Sequence, residues 1–322
     1  MAKMLELILM PEGPAKTTGE SRSTVLVVGA TGNQGGVIID HILKAHDDVA
    51  VRGLTREPDS EAAHALVDRG VDVREGDLND RKTLRPAVDG VDAVIIVTNI
   101  WTAGFEKAVR QGKNIADVAA DGGVDHIIFS GAGYHDRDLD IAALEPAGEI
   151  ERYIRSLDVP ATFLRPVWFM HNLEPAFEDV LNGTLALPIA EDVALQMVDV
   201  DDVGRTIARI LDDPEEFAGE GFDLAGDEHT FEEMARILSE VTDVDVQPVT
   251  IPNEEARKEM GEAMAELFQW FNERGYQVDI ERLEQRFGFE FTSFREYLEN
   301  NGWTDKNQPT RMPGLVKAMM QD

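Results

Sequence analysis

"VLVVGATGNQGG" (Val25–Gly36) passes from four apolar, β-favouring residues into a turn holding four glycines. The apolar positions after it (Val37, Ile38, Ile39, Ile42, Leu43) have helical spacing. Gly29, Gly32 and Gly35 thus form G-x-x-G-x-x-G between a strand and a helix. In that setting the first glycine permits a tight turn and the second lets a diphosphate approach bare backbone. The third allows helix and strand to pack closely. Free N–H groups at the helix start face the anion, helped by the helix dipole, and Thr31, Asn33 and Gln34 add side-chain donors. The stretch predicts a dinucleotide cradle.

Working outward, apolar runs alternate with amphipathic stretches. Strands are expected at 24–30, 49–56, 71–78, 91–99, 125–131 and 161–167, with helices at 34–46, 59–70, 79–88, 105–120 and 146–157. "VDAVIIVTN" (91–99) is near-continuously apolar, as in a strand buried on both faces. This rhythm predicts an α/β fold, a Rossmann-type doubly wound parallel sheet over residues 23–166. Beyond Pro166 the pattern loosens into a smaller α+β lobe (167–303), some of whose elements return to the sheet. There, helices are expected at 171–182, 201–212 and 230–241, strands near 194–200, 220–225 and 245–251, and a helix-rich stretch over 253–300. Residues 1–22 and 304–322 read as tails.

Composition narrows the function classes. The 322 residues hold 62 Asp and Glu against 30 Lys and Arg, a formal net charge of −32. That field repels phosphate backbones, and no basic patch offsets it, so direct nucleic-acid binding is not expected. The absence of cysteine excludes disulfides, thiolate nucleophiles and cysteine metal sites. The seven histidines show no metal spacing. No apolar run approaches the ~20 residues of a membrane span, and the N-terminal stretch lacks a signal-peptide pattern; a cytoplasmic protein is expected. The acids are scattered over helices and loops, as in proteins of salt-loving archaea, so a halophilic archaeal origin is expected too.

The second strand ends "GLTREP", which puts Arg56 where NAD-specific folds usually carry a ribose-binding acid. A guanidinium there suits a 2′-phosphate and favours NADP, with NAD the alternative. "EGDLND" (75–80) closes the third strand and brings Asp77 and Leu78 towards the adenine.

Several stretches together resemble the NmrA-like family, the atypical branch of the short-chain dehydrogenases that includes fungal nitrogen regulators and an animal NADPH sensor. They are "GATGNQGG", "LTREP", "GDL", "VTNIW" (97–101), "QGKNIADVA" (111–119), "FSGAG" (129–133), "GEIERYI" (148–154) and "LRPVWFMHN" (164–172), with "VDVDDVG" (198–204) and "FDLAGDEHTFEEMARIL" (222–238) extending the likeness. The resemblance implies a cofactor path along the carboxyl edge of the sheet. Gly29, Thr31, Gly32, Asn33, Gln34 and Gly35 would hold the diphosphate, Arg56 the 2′-phosphate, and Asp77 and Leu78 the adenine. Thr98 and Asn99 would flank the central ribose, Ser130 and Gly131 the nicotinamide ribose. Pro166, Val167 and Trp168 would pass the nicotinamide, with Asn172 at the rim. Two departures stand out. Family members that prefer NADP often carry more basic residues after the arginine, where this chain has Asp59-Ser60-Glu61. Relatives also carry a lysine where this chain has Ala147.

Hydride-transferring short-chain dehydrogenases use a tyrosine four residues before a lysine, whose charge lowers the phenol pKa. Here Asp138, Leu157, Ile280 and Asn301 come after Tyr134, Tyr153, Tyr276 and Tyr297 at that spacing, and no lysine occurs from 114 to 257. The substitutes are Tyr134 and His135 after the fifth strand, as general acid and titrating group, or as an exposed loop pair. Trp168, Phe169 and Met170 would wall the pocket. The expectation is a non-catalytic, NADP-binding regulator acting through a protein partner, the alternative an NAD(P)H-dependent reductase of a small carbonyl or quinone.

Overall fold

The computed structural model describes residues 23–98, 100–134 and 141–306, without the side chains of 101 and 102. The expected tail at 1–22, the part of the expected tail 304–322 beyond residue 306, and the candidates Asn99 and His135 lie outside the described residues. The first half alternates strand and helix: β1 (Ser23–Val28), α1 (Asn33–Ala45), β2 (Val49–Thr55), α2 (Glu61–Asp68), β3 (Asp72–Glu75), α3 (Arg81–Val88) and β4 (Ala93–Val97). Next come α4 (Ile100–Ala103), α5 (Phe105–Gly122), β5 (His126–Ser130), α6 (Glu145–Arg155) and β6 (Ala161–Pro166). The second half contains β7 (Trp168–Phe169), a 3-10 turn over Met170–Ala176, α7 (Phe177–Leu181), β8 (Thr184–Leu187), β9 (Ala194–Val198), α8 (Val200–Asp212) and α9 (Pro214–Phe217). It closes with β10 (Gly221–Leu224), β11 (Asp227–Thr230), α10 (Phe231–Thr242), β12 (Gln247–Thr250), α11 (Asn253–Met260), α12 (Glu262–Glu273), α13 (Ile280–Phe287) and α14 (Phe294–Asn300).

Seven parallel strands form the main sheet in the order β10-β6-β5-β4-β1-β2-β3. Successive side chains of a strand point to opposite faces, so β1 contributes to two separate cores. Val25 and Val27 enter one apolar core with Ile38, Ile39 and Ile42 of α1. Leu26 and Val28 enter the other, with Ile115 and Ala119 of α5 and Ile150 of α6. A strand buried on both sides must read as a continuous apolar run, which is why β1, β4 and β5 are legible in sequence. β3 (DVRE), at the sheet edge, is largely exposed.

The chain reverses its direction of sheet growth at β1, which lies between β2 and β4. Such a reversal opens a crevice at the carboxyl ends of the strands, where ligands of open α/β sheets bind. The expected boundary at residue 166 is crossed by β10, which pairs with β6 (Gly221 opposite Phe163) and extends the main sheet. Two small sheets, β11-β9-β7 and β12-β8, complete the second half.

The two halves meet closely at α1 and α8. A β-carbon at Gly204 would lie 2.5 Å from the His41 ring and 3.1 Å from the Val37 carbonyl oxygen, so only glycine lets the helices approach this far. His41 Nε2 lies 3.0 Å from Asp201 Oδ1, and His46 Nε2 lies 3.0 Å from the Ala208 carbonyl oxygen.

Candidate functional site: a cleft at the sheet switch point

The glycine turn has the geometry expected of a phosphate cradle. Gly29 has φ +70°, a conformation L side chains rarely adopt. Gly35 is sterically obligatory, since a β-carbon there would stand 2.1 Å from the Gly29 carbonyl oxygen. Gly32 is different. Its β-carbon would meet only the Gly29 oxygen, at 3.1 Å, so its bareness leaves backbone open towards the cleft. No side chain caps the N-terminus of α1 and no acid sits in its first turn, which leaves the positive end of the helix dipole for an anion. The Asn33 Nδ2 atom beside it is buried with no hydrogen-bond partner. A buried amide donor without an acceptor is costly, and a phosphate oxygen would satisfy it. These residues fit a dinucleotide diphosphate.

A cleft of about 490 Å³ runs from this turn across the carboxyl ends of β2, β3 and β4. Gly29, Thr31, Gly32, Arg56, Asp77, Leu78 and Thr98 all line it. The structure thus brings the residues assigned to the adenine side and to the start of the diphosphate path onto one surface. Arg56 is exposed at the end of β2. Asp77 accepts from the Asn79 backbone N–H (2.9 Å) and from Asn79 Nδ2 (2.6 Å). The backbone hydrogen bond is the main reason its carboxyl is held below the usual range, with Arg56 and Lys107 adding to the effect.

Sequence reasoning missed the contribution of α5. Lys107 and Gln111 line the cleft, and Asn114 lies on the same helical face at spacing i, i+4, i+7. Asn114 Nδ2 donates to the Leu78 carbonyl (2.8 Å) and its Oδ1 accepts from Arg81 Nε (2.8 Å), which fixes the loop after β3. Gln111 Nε2 donates to Asn79 Oδ1 at 3.3 Å. The available signal was the i, i+4, i+7 spacing of Lys107, Gln111 and Asn114 in "KAVRQGKN" (107–114).

The residues assigned to the nicotinamide half lie elsewhere. Gln34 Nε2 donates to Ser130 Oγ at 3.0 Å, so the turn is tied to the end of β5. Gly131 abuts Phe129 and the Ala147 methyl: a β-carbon on it would lie 2.8 Å from the Phe129 ring and 3.4 Å from Ala147 Cβ. Pro166 accepts from the Gly133 N–H, and the Val167 N–H donates to Leu224. Asn172 is half-buried in the 3-10 turn.

Two expectations are corrected by the packing. Trp168 does not wall an open pocket: its ring packs edge-on against Phe268 (5.3 Å) and Phe271 (5.9 Å) of α12, and Met170 is fully buried. Tyr134 is not a loop side chain facing solvent. It has φ +62° and is 4% exposed. Its N–H donates to Asp223 Oδ1 (2.9 Å), and its phenol oxygen accepts from the Gln277 N–H (2.6 Å). Its ring packs against Tyr276 and Trp270. Burial pushes the neighbouring Tyr276 phenol up, away from proton transfer near neutral pH. The left-handed turn at Tyr134 and the aromatic face of α12 are tertiary features that no local pattern announces.

Residues 21–300 match the NmrA-like family. The chain belongs to that family. A curated NmrA-like family domain-containing protein of Dictyostelium discoideum is 30% identical over 300 residues, which cover 85% of this chain and 96% of that protein. An NmrA-like family domain-containing oxidoreductase of Aspergillus versicolor is 31% identical over 67% of this chain and 68% of its own. Among solved structures, a triphenylmethane reductase of Citrobacter sp. superposes with TM-score 0.76 at 25% identity, covering 86% of this chain and 98% of that one. The negative transcriptional regulator NmrA, crystallised with NADP, gives TM-score 0.72 at 21% identity over 86% and 94%. This NmrA-like chain thus shares its fold with oxidoreductases and with a regulator. Among its described residues no helix is long and apolar enough to cross a membrane.

Proposed function

We propose that this chain binds NADP(H) in the switch-point cleft and works as a cofactor-responsive regulator through a protein partner, without turning over a substrate. The diphosphate would lie on Gly29, Gly32 and the start of α1, with Asn33 donating to it. The 2′-phosphate would lie against Arg56, and the adenine between Asp77, Leu78 and the Gln111 face of α5. The bound cofactor would carry a transferable hydride; in this reading the chain's own residues bind and orient it and pass it to no substrate.

The observation that carries the non-catalytic reading is Ala147. Its methyl stands against Gly131, beside Ser130, where the family's lysine ammonium would reach the nicotinamide ribose. The Tyr134 phenol oxygen accepts a backbone hydrogen bond inside an aromatic cluster. Ala147 has no proton to give, and the Tyr134 ring is buried away from the switch-point cleft lining.

One observation favours the alternative, an oxidoreductase of a small carbonyl or quinone. The indole N–H groups of Trp168 and Trp270 are buried without acceptors in the cluster beside β7; if that cluster opened, a carbonyl oxygen would satisfy such a donor. Incubating the protein with NADPH and a panel of quinones and aldehydes in molar salt separates the two. The regulator reading expects no loss of absorbance at 340 nm; turnover that disappears in Tyr134→Phe would replace it with the reductase reading.

A further inference from the structure

The geometry points to Lys107 as a second phosphate-binding cation, which closes on the 2′-phosphate from α5 while Arg56 holds it from the end of β2. This rests on the NADP-binding reading above and adds the residue that would set selectivity between NADP and NAD.

Charge around the cleft motivates it. Nearby cations are mostly neutralised: Arg81 pairs with Asp117, and Lys113 Nζ lies 2.6 Å from Glu149 Oε1. Arg56 and Lys107, the two cations on the cleft lining, have no carboxylate within pairing distance among the described residues. Asp77 stands on the same lining and feels both, yet its carboxylate is taken by Asn79. Two half-free cations facing one cleft, in a chain of net charge −32, form a local reversal of the protein's field.

The residues after Arg56 explain why one guanidinium is insufficient. Glu57 also lines the cleft, with Asp59 and Glu61 just beyond it in the chain. A phosphomonoester near neutral pH carries close to two negative charges, so beside Glu57 it needs more than a single positive partner. Ser60 does not help: its hydroxyl donates to the Glu57 carbonyl (2.8 Å) and accepts from the Ala63 N–H (3.2 Å) as the cap of α2. The second cation therefore comes from across the cleft. Lys107 is anchored for this, because α5 is tied to the adenine loop by Gln111 and Asn114.

The test is calorimetric titration of the full chain with NADP+ and NAD+, at fixed salt, for the wild type, Lys107→Gln, Lys107→Arg and Lys113→Gln. Lys113→Gln removes the same charge outside the cleft and so reports the effect of the overall field. Lys107→Gln is expected to weaken NADP+ by about tenfold or more relative to Lys113→Gln, while NAD+ changes little. Lys107→Arg should retain most of the NADP+ affinity, which also shows that the site has folded. Equal weakening of both cofactors would place the ammonium on the diphosphate and overturn the inference, as would a Lys107→Gln effect no larger than that of Lys113→Gln. A wild type that binds neither cofactor would instead remove the reading on which it rests.

Discussion

The α-carbon of Gly35 faces the carbonyl of Gly29 so closely that a β-carbon there would lie 2.1 Å from the oxygen, whereas one residue on, at Gly36, the nearest atom would be 3.9 Å away. The two neighbours in α1 should therefore respond oppositely to alanine. Gly35→Ala must push the turn and helix apart, a clash expected to cost ~1–3 kcal/mol and to abolish cofactor binding. Gly36→Ala should be neutral or gain up to about 1 kcal/mol of helix stability. Thermal melts and dinucleotide titration of both variants check this, and a Gly35→Ala protein that binds normally would refute the packing account.

Arg56 makes a second case. Its head is exposed at the cleft mouth, with no carboxylate paired to it among the described residues. Arg56→Ala is expected to weaken NADP+ binding by about 1.5–3 kcal/mol, the range for a hydrogen bond to a charged group, and NAD+ binding much less. Equal losses for both cofactors would remove the 2′-phosphate from this position.

A buried imidazole couples stability to pH. The Thr162 hydroxyl donates to the Phe217 carbonyl (2.9 Å), so it accepts at 2.8 Å from His126 Nε2, which carries the proton. Burial lowers the His126 pKa from 6.5 to about 4. The unfolded chain therefore takes up the proton first. The stabilisation is fully present above pH 6.5 and is lost as pH falls towards about 4. Urea midpoints measured at pH 7 and pH 5 should fall further for the wild type than for His126→Gln; parallel behaviour would contradict the assignment.

The net charge of −32 predicts a salt response. Self-repulsion of that size opposes the compact state, and the Debye length shrinks from ~10 Å at 0.1 M to ~3 Å at 1 M salt. Exposed pairs such as Arg74–Asp72 weaken under the same screening but contribute little each. The melting temperature should therefore rise steadily with potassium chloride into the molar range. A fall would mean that surface ion pairs outweigh the repulsion.

The main sheet was legible because Val25–Val28, most of β4 and Ile127–Phe129 are buried and form apolar runs, and because positive φ and close packing restrict what can stand at Gly29 and Gly35. The short strands β7, β8 and β11 were not. β11 reads Asp-Glu-His-Thr and becomes a strand only because β9 lies antiparallel beside it. At the cleft, Arg56, Asp77 and Thr98 come within two residues of strand ends and could be placed by counting, whereas Lys107 depends on which face of α5 lines the cleft. Tyr134 was misplaced because the ring's neighbours, Trp270 and Tyr276, lie more than a hundred residues downstream.

Gly204 has a mechanical consequence. By admitting the His41 ring and the Val37 backbone, it welds α8 along the flank of the very rod whose tip forms the phosphate turn. Any side chain at 204 would have to force α8 away from the helix that carries the phosphate turn, so the seating of one half on the other depends on this single bare position.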